Sequence, residues 1–223
     1  MIRRVLSAAL VAGSVVMVLA LMPGRAVASV YPPKALGGTL VTKPATATNR
    51  VAIVLDSSRI TGAAEMRFRD AGGEWTAWLP FAATHPWTLA GADGLKTIEA
   101  QYRATAAAES LELTVQIHLD RKRPGTVGYA HEVRRKARVR LTYKVVDPKP
   151  SCGYAKVTIR VYRFGKRFTE LPAVTVPTNR KQSMRSFKCS WSKGWYTYKV
   201  IAADIAGNRQ KKDGVGVGVL FVK

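Results

Sequence analysis

The sequence predicts an all-β protein of two tandem β-sandwiches that follow an N-terminal export signal. From residue 37 onwards, short runs alternate apolar and polar residues, and glycine-rich turns separate these runs at intervals of about ten residues. No stretch after residue 28 shows a sustained helical period. The charge balance also changes sharply near residue 124, which indicates two modules with different surfaces.

Residues 1 to 28 have the three parts of a secretory signal peptide. Arg3 and Arg4 give a positive start, residues 5 to 21 are uncharged and mostly apolar, and Ala26-Val27-Ala28 offers a small-residue cleavage site. An uncleaved anchor is the alternative, but the apolar run is at the low end of a membrane span and Pro23-Gly24 interrupts it. We therefore expect a secreted protein, extracellular or associated with the cell envelope, with no membrane span after cleavage.

The first sandwich is predicted over residues 37 to 124, after a linker over residues 29 to 36. Its clearest strand is residues 111 to 119, where Leu, Val and Ile alternate with polar side chains. Asp93-Gly94 predicts a tight hairpin turn, because glycine supplies the positive φ that such turns need. The marked residues are, in order, Met66, Trp75 and Trp78, Phe81, Trp87 and Leu89, Asp93-Gly94-Leu95-Lys96, and Leu119-Asp120 before Pro124.

This order of residues resembles the Ig-like, or fibronectin type III-like, repeats of secreted and surface bacterial proteins. One departure is residues 104 to 108, where such repeats usually place an Asp-x-x-Gly-Asn turn. Residues 128 to 223 resemble a second type of bacterial Ig-like module, on the pattern Gly194-x-Tyr196-x-Tyr198-x-Val200-x-Ala202-x-Asp204-x-x-Gly207-Asn208. The resemblance implies two Ig-like sandwiches and leaves the function open, because these modules carry many unrelated roles.

The second sandwich is predicted over residues 125 to 223, with one disulfide between Cys152 and Cys189. An even number of cysteines in an exported chain favours a bridge, which would add roughly 3 to 4 kcal/mol to the stability. Two free thiols or a metal pair are the alternatives. Tyr196 lies where a tyrosine corner is expected, with its hydroxyl bonded back to the chain.

The second module is strongly basic, with 22 Lys and Arg against 5 Asp and Glu, a net charge of +17. If the two strands that carry most of the outward basic residues paired in one sheet, they would form a cationic surface that attracts polyanions. An exported module of this kind would meet anionic cell-wall polymers or polysaccharides, or another envelope protein, whereas no nucleic-acid recognition motif is present. A basic surface that serves only solubility is the alternative. The candidate polyanion-binding residues are Arg138, Arg140, Lys144, Lys156 and Arg160.

The five tryptophans divide into core and surface candidates. We expect Trp78 and Trp87 to pack in the first core, where large aromatics fill a small sandwich. Trp75, Trp191 and Trp195 are the candidates for stacking on a ligand. A carbohydrate-binding module built on the tryptophans of the first sandwich is therefore one alternative function, and an accessory subunit of an envelope protein complex is the other.

Catalytic and metal sites are not predicted. The three histidines are scattered, and the chain has none of the usual hydrolase, phosphate-loop or cysteine–histidine motifs, so we expect a non-catalytic binding or scaffolding protein without cofactors. Asp204 and Asn208 are expected to cap a turn. Calcium is the alternative there, and we disfavour it because calcium needs several converging carboxylates and the second module has only five acidic residues.

Overall fold

The computed structural model describes residues 35 to 106 and 109 to 223. The predicted signal peptide, residues 1 to 28, and most of the predicted linker lie outside the described residues. Lys34–Lys223 form one compact unit that contains both sandwiches. No helix within the described ranges has the length and apolar character to cross a membrane.

The first sandwich consists of eight strands in two sheets. They are β1 (Val41–Lys43), β2 (Ala47–Thr48), β3 (Ala52–Asp56), β4 (Glu65–Asp70), β5 (Leu79–Pro80), β6 (Thr84–Thr88), β7 (Gly94–Arg103) and β8 (Leu111–Leu119). One sheet has the order β1-β3-β6 and the other β2-β8-β7-β4-β5. Among the described strands of this sandwich, only the short β2 runs parallel to its partner, β8, and the other pairs are antiparallel.

The second sandwich repeats this arrangement strand for strand. Its strands are β9 (Gly125–Gly128), β10 (His131–Val133), β11 (Arg138–Val146), β12 (Tyr154–Arg163), β13 (Lys166–Pro177), β14 (Ser183–Lys188), β15 (Gly194–Asp204) and β16 (Gly216–Val222). The sheet orders are β9-β11-β14 and β10-β16-β15-β12-β13. The predicted fold class, two tandem Ig-like β-sandwiches, is confirmed.

Each core forms from the inward side of the alternating strands. Phe68, Ile98 and Tyr102 are completely buried in the first sandwich, and Tyr143 and Tyr198 are buried in the second. The predicted tyrosine corner is also present, since the Tyr196 hydroxyl donates to the Ser192 carbonyl at 2.9 Å. Because side chains alternate across a strand, the polar partners of these residues point outward and form the outer faces of the sheets.

The two sandwiches meet at the segment between β8 and β9. Asp120, the first residue after β8, donates its backbone N–H to the Thr48 carbonyl of the first sandwich at 2.9 Å. The Asn208 side chain, from the second sandwich, donates to the Asp120 carbonyl at 2.7 Å. These bonds hold the end of the first sandwich against the loop that follows β15.

The predicted disulfide is wrong: both cysteines, which lie in the described part of the chain, are free. Cys189 is next to the start of β11, because its N–H donates to the Ala137 carbonyl at 2.9 Å. Cys152 lies at the other end of the sandwich, where its N–H donates to Asp120 at 3.0 Å. The nine residues of β11 separate the two ends by about 25 to 30 Å, whereas a bridge needs Cα atoms within about 7 Å.

Candidate functional site

The five predicted polyanion-binding residues lie on two different faces of the second sandwich. Arg138, Arg140 and Lys144 belong to β11, in the three-stranded sheet, and Lys156 and Arg160 belong to β12, in the five-stranded sheet. The condition for one shared cationic surface, that these two strands pair in one sheet, is therefore not met. A sequence pattern shows which residues of a strand point outward, but it does not show which sheet the strand joins.

The outer side of the β9-β11-β14 sheet, called here the β11 face, carries Arg138, Arg140, Lys144 and Lys188. Arg138 lies opposite Lys188 in the β11–β14 ladder, and Arg138, Arg140 and Lys188 are exposed while Lys144 is half-buried. Among the described residues, no carboxylate forms an ion pair with any of the four. At about 3.3 Å per residue, the row from Arg138 to Lys144 is about 20 Å long.

The outer side of the five-stranded sheet, called here the β12 face, is more mixed. Arg160 is paired with Glu170, at 2.7 Å between Nε and Oε2, and Lys199 lies over the Tyr162 ring at 5.2 Å. A shallow groove on this face is lined by both basic and apolar side chains, including Ile201 and Val217. Part of the basic charge on the β12 face is thus neutralised locally.

Trp75 and Trp78 lie on the outer side of the first sandwich, among arginines. The Arg69 guanidinium is 4.3 Å from the centre of the Trp75 ring, and Arg67 lies over both rings, at 4.9 and 4.5 Å. Arg103 lies 3.9 Å over Trp78. The prediction that Trp78 packs in the core is wrong, and a sugar ring at Trp75 would compete with guanidinium groups already in contact with the indole.

Each of these arginines forms an ion pair or a hydrogen bond with a residue on the neighbouring strand. Arg69 pairs with Glu99 at 2.5 Å and Arg103 with Glu65 at 2.7 Å, in both cases directly across the β4–β7 ladder. Arg67 donates to Gln101 at 2.7 Å in the same way. Each guanidinium is hydrogen-bonded through its Nε at one edge, which leaves its flat face free to stack on an indole ring. The two tryptophans therefore cover a row of paired polar side chains on β4 and β7.

Trp87 packs against the first core as predicted. Its ring lies 6.0 Å from Phe68, and its indole N–H donates to Asp70 at 3.2 Å. His85 stacks on Phe68 at 4.9 Å, and burial lowers the pKa of its imidazole. His85 therefore occupies a packing position.

Trp191 and Trp195 have different surroundings. Trp191 is half-buried in an aromatic cluster, 5.1 Å from Phe187 and 5.2 Å from Tyr196, so the expectation that it is an exposed stacking residue is wrong. Trp195 is 65% exposed and is adjacent to Phe221 at 4.5 Å. Trp195 is exposed as expected, and its role in stacking stays a prediction.

A cluster of acidic residues lies where the two sandwiches meet. Asp120 follows β8, Asp147 follows β11, Cys152 precedes β12 and Asp204 ends β15. One potential ligand atom from each of the four lies within 4.8 Å of the others. We call these four residues the junction cluster. The three aspartates are at most 5% exposed.

Two of the three carboxylates are held by N–H donors. Asp204 accepts from the Asn208 backbone and side chain, both at 2.8 Å, which confirms the predicted turn cap. Asp120 accepts from the backbone of Lys122 and of Cys152, both at 3.0 Å. These bonds fix the carboxylates in place and leave further lone pairs on their oxygens.

The carboxylate of Asp147 is different, because neither of its oxygens has a hydrogen-bond partner among the described residues. Its backbone is nevertheless fixed, with Asn179 bonded to both the N–H and the carbonyl, at 2.9 and 2.8 Å. Burial, together with the nearby Asp120 and Asp204, raises the pKa of Asp147 to about 7. Burial also raises the pKa of the Cys152 thiol, to about 11, and the same two aspartates act in that direction.

Sequence reasoning missed the junction cluster because it counted acids one module at a time. Asp120 comes from the end of the first sandwich and the other three members come from the second. The available signal was positional, since Asp120, Asp147 and Asp204 each follow or end a strand that runs towards the same end. Such residues gather at one edge once the strands are placed.

Comparison with known proteins gives no family, because no family model and no curated protein matches the chain. Among solved structures, it is similar to the fibronectin(III)-like modules of Clostridium thermocellum CbhA, with 13% identity, coverage of 85% of this chain and 94% of that one, and a TM-score of 0.46. The human OSCAR ligand-binding domain has 12% identity, coverage of 82% and 97%, and a TM-score of 0.40. Three N-terminal domains of the bacteriophage RB49 outer capsid protein Hoc have 10% identity, coverage of 84% and 59%, and a TM-score of 0.38.

Proposed function

We propose that this is a non-catalytic, secreted binding or scaffolding protein whose second sandwich attaches to an anionic polymer of the cell envelope. The observation that carries the proposal is the β11 face, where Arg138, Arg140, Lys144 and Lys188 lie together without a carboxylate partner among the described residues. The proposed mechanism is electrostatic attachment to repeated negative charges along a chain.

The charge distribution supports this assignment to the second sandwich. Of its five acidic residues, Asp147 and Asp204 are buried in the junction cluster. Glu132 and Glu170 pair with Lys223 and Arg160. The surface therefore keeps little negative charge to balance 22 basic residues, and a field of one sign attracts polyanions and raises their association rate.

The β11 face is a better candidate than the β12 face. A basic residue that is already paired, such as Arg160 with Glu170, gives less attraction to a new anion. An extended polymer can also follow a straight row of cations about 20 Å long. The envelope location is supported by the secretory pattern of residues 1 to 28.

The test compares two triple variants that change the net charge equally. One is Arg138→Glu/Arg140→Glu/Lys144→Glu on the β11 face. The other is Lys156→Glu/Lys199→Glu/Lys212→Glu on and beside the β12 face. Binding to immobilised heparin, which stands in for an anionic polymer of the envelope, is measured at about 0.1 M salt, with neutral dextran as the control surface.

We expect the β11-face variant to bind heparin about 10- to 100-fold more weakly, on the basis of up to about 1 kcal/mol for each exposed ion pair. The β12-face variant should lose much less. Equal losses would mean that total charge matters and the β11 face does not, and no loss in either variant would refute the proposed mechanism.

A further inference from the structure

The junction cluster has the geometry of a cation site shared by the two sandwiches. Two oxygens bound to one calcium ion at about 2.4 Å are separated by at most about 5 Å. One ligand atom from each of Asp120, Asp147, Cys152 and Asp204 lies within 4.8 Å of the others. A single ion can therefore contact carboxylate oxygens of all three aspartates without a change of backbone.

A second and independent observation is the state of Asp147. Asp147 is only 1% exposed and lies within the junction cluster. Neither of its carboxylate oxygens has a hydrogen-bond partner among the described residues. Buried carboxylates in folded proteins are normally paired, hydrogen-bonded or bound to a metal. Since the Asp147 backbone is fixed on both sides by Asn179, the carboxylate is held among like charges by the fold itself.

We propose that Asp120, Asp147 and Asp204 bind one calcium ion at the junction of the two sandwiches. Three carboxylates supply hard oxygen ligands and a charge of −3, which suits a divalent cation that prefers oxygen. The ligands come from one strand end and two loops, so their arrangement around the ion is irregular. Calcium accepts such an arrangement, whereas magnesium requires near-ideal octahedral geometry. Backbone carbonyls or water would complete the six to eight oxygens that calcium takes.

Cys152 gives a way to separate calcium from zinc. Zinc is bound by thiolate sulfur as well as oxygen and nitrogen, whereas calcium takes oxygen ligands. The Cys152 backbone N–H, which donates to Asp120, is kept when the side chain is changed to serine. Cys152→Ser therefore preserves a calcium site and removes a ligand from a zinc site.

A calcium ion at this position would join the two sandwiches. Asp120 is anchored to Thr48 in the first sandwich, while in the second sandwich Asp147 follows β11 and Asp204 ends β15. The segment between them contains Arg121 and Lys122, which are exposed. Bound calcium should consequently make the segment that follows Asp120 more resistant to trypsin.

The test uses the full chain, stripped with EDTA and then transferred to chelator-free buffer. Calcium chloride is titrated by calorimetry, and thermal unfolding is recorded with and without calcium. We expect one calcium ion per chain and a rise in Tm of roughly 5 to 10 °C at a hundredfold excess over Kd. Calcium should also slow tryptic cleavage after Arg121 and Lys122.

Variants then assign the ligands. Asp147→Asn, which has nearly the same shape, should lose both the calcium heat and the rise in Tm, and Cys152→Ser should keep both. Asp213→Asn, at an exposed acid outside the cluster, is the matched control and should behave as the wild type. If Asp147→Asn does not fold, Asp120→Asn serves as the second ligand variant.

Three results would overturn the proposal. One is the absence of calcium uptake by the wild type, which would leave a protonated Asp147 as the better account. Another is an unchanged calcium response in the ligand variants. The third is stoichiometric zinc binding that Cys152→Ser abolishes. None of these results depends on heparin binding, so the calcium site and the proposed function can fail separately.

Discussion

Replacement of Asp147 by asparagine should stabilise the metal-free protein at alkaline pH. Burial of the carboxyl, together with the nearby Asp120 and Asp204, raises the pKa of Asp147 from its ordinary value of 3.8 to about 7 in the folded chain. The folded state therefore binds the proton more tightly. The contribution of this proton binding to the stability of the folded state is complete below about pH 4 and is lost as the pH rises towards and past 7.

The size of the effect follows from the same two pKa values. Each pKa unit corresponds to 1.36 kcal/mol, so the wild type should lose at most about 4 kcal/mol relative to Asp147→Asn between pH 4 and pH 8. The comparison between the two proteins is needed because other groups titrate in this range. His85, whose pKa is lowered by burial, changes the stability in the opposite direction, and it does so equally in both.

The assay is urea unfolding of both proteins in EDTA at several pH values, followed by tryptophan fluorescence. The expected result is similar stability at pH 4.5 and a growing advantage for Asp147→Asn towards pH 8. A difference between the two proteins that does not change with pH would contradict this prediction, since it would mean that Asp147 titrates normally in the folded state.

Three further predictions concern the described packing. Alkylation of the unfolded, unreduced chain should add two labels, because Cys152 and Cys189 are free, and a mass with no label would show that they are bridged after all. Tyr198→Phe should lower the free energy of unfolding in urea by about 1 to 3 kcal/mol. The Tyr198 hydroxyl donates to the Tyr129 carbonyl at 2.5 Å and accepts from the Tyr129 N–H at 3.0 Å, and both bonds would be lost. A loss of stability near zero would contradict this. Gly218→Ala should also destabilise the second sandwich by about 1 to 3 kcal/mol, since its Cβ would lie 2.2 Å from the Tyr198 ring, and an unchanged unfolding midpoint would count against the close packing there.

Much of the fold could be predicted because alternation and turn residues act locally. The run from 111 to 119 forms β8 as expected. The Tyr196 and Asp204 turns also form as expected, because each depends on a hydrogen bond to a residue four positions away. These features depend on short stretches of chain, so one sequence contains enough information for them.

The features that the sequence did not predict correctly depend on which strands become neighbours in the fold. β11 and β12 are consecutive, yet they belong to opposite sheets, and this separates the basic residues that one surface was expected to hold. Cys152 precedes β12 and Cys189 follows β14, so three strands lie between the two cysteines and place them at opposite ends of the sandwich. The packing of one sandwich against the other brings Asp120 to Asp147 and Asp204, although these residues are far apart along the chain. Such contacts follow from topology, which alternation alone does not determine.

Attachment through the basic sandwich is tested most directly by a salt series for binding of the full chain to cell envelope with and without its anionic polymers. Cosedimentation with a purified cell-envelope fraction, before and after its anionic polymers are stripped, is measured from about 0.05 M to 1 M salt, over which the screening length falls to about 3 Å. We expect binding at low salt, steep release as salt rises, and loss of binding after stripping. Binding that persists at 1 M salt, or that survives stripping, would contradict attachment through the basic sandwich.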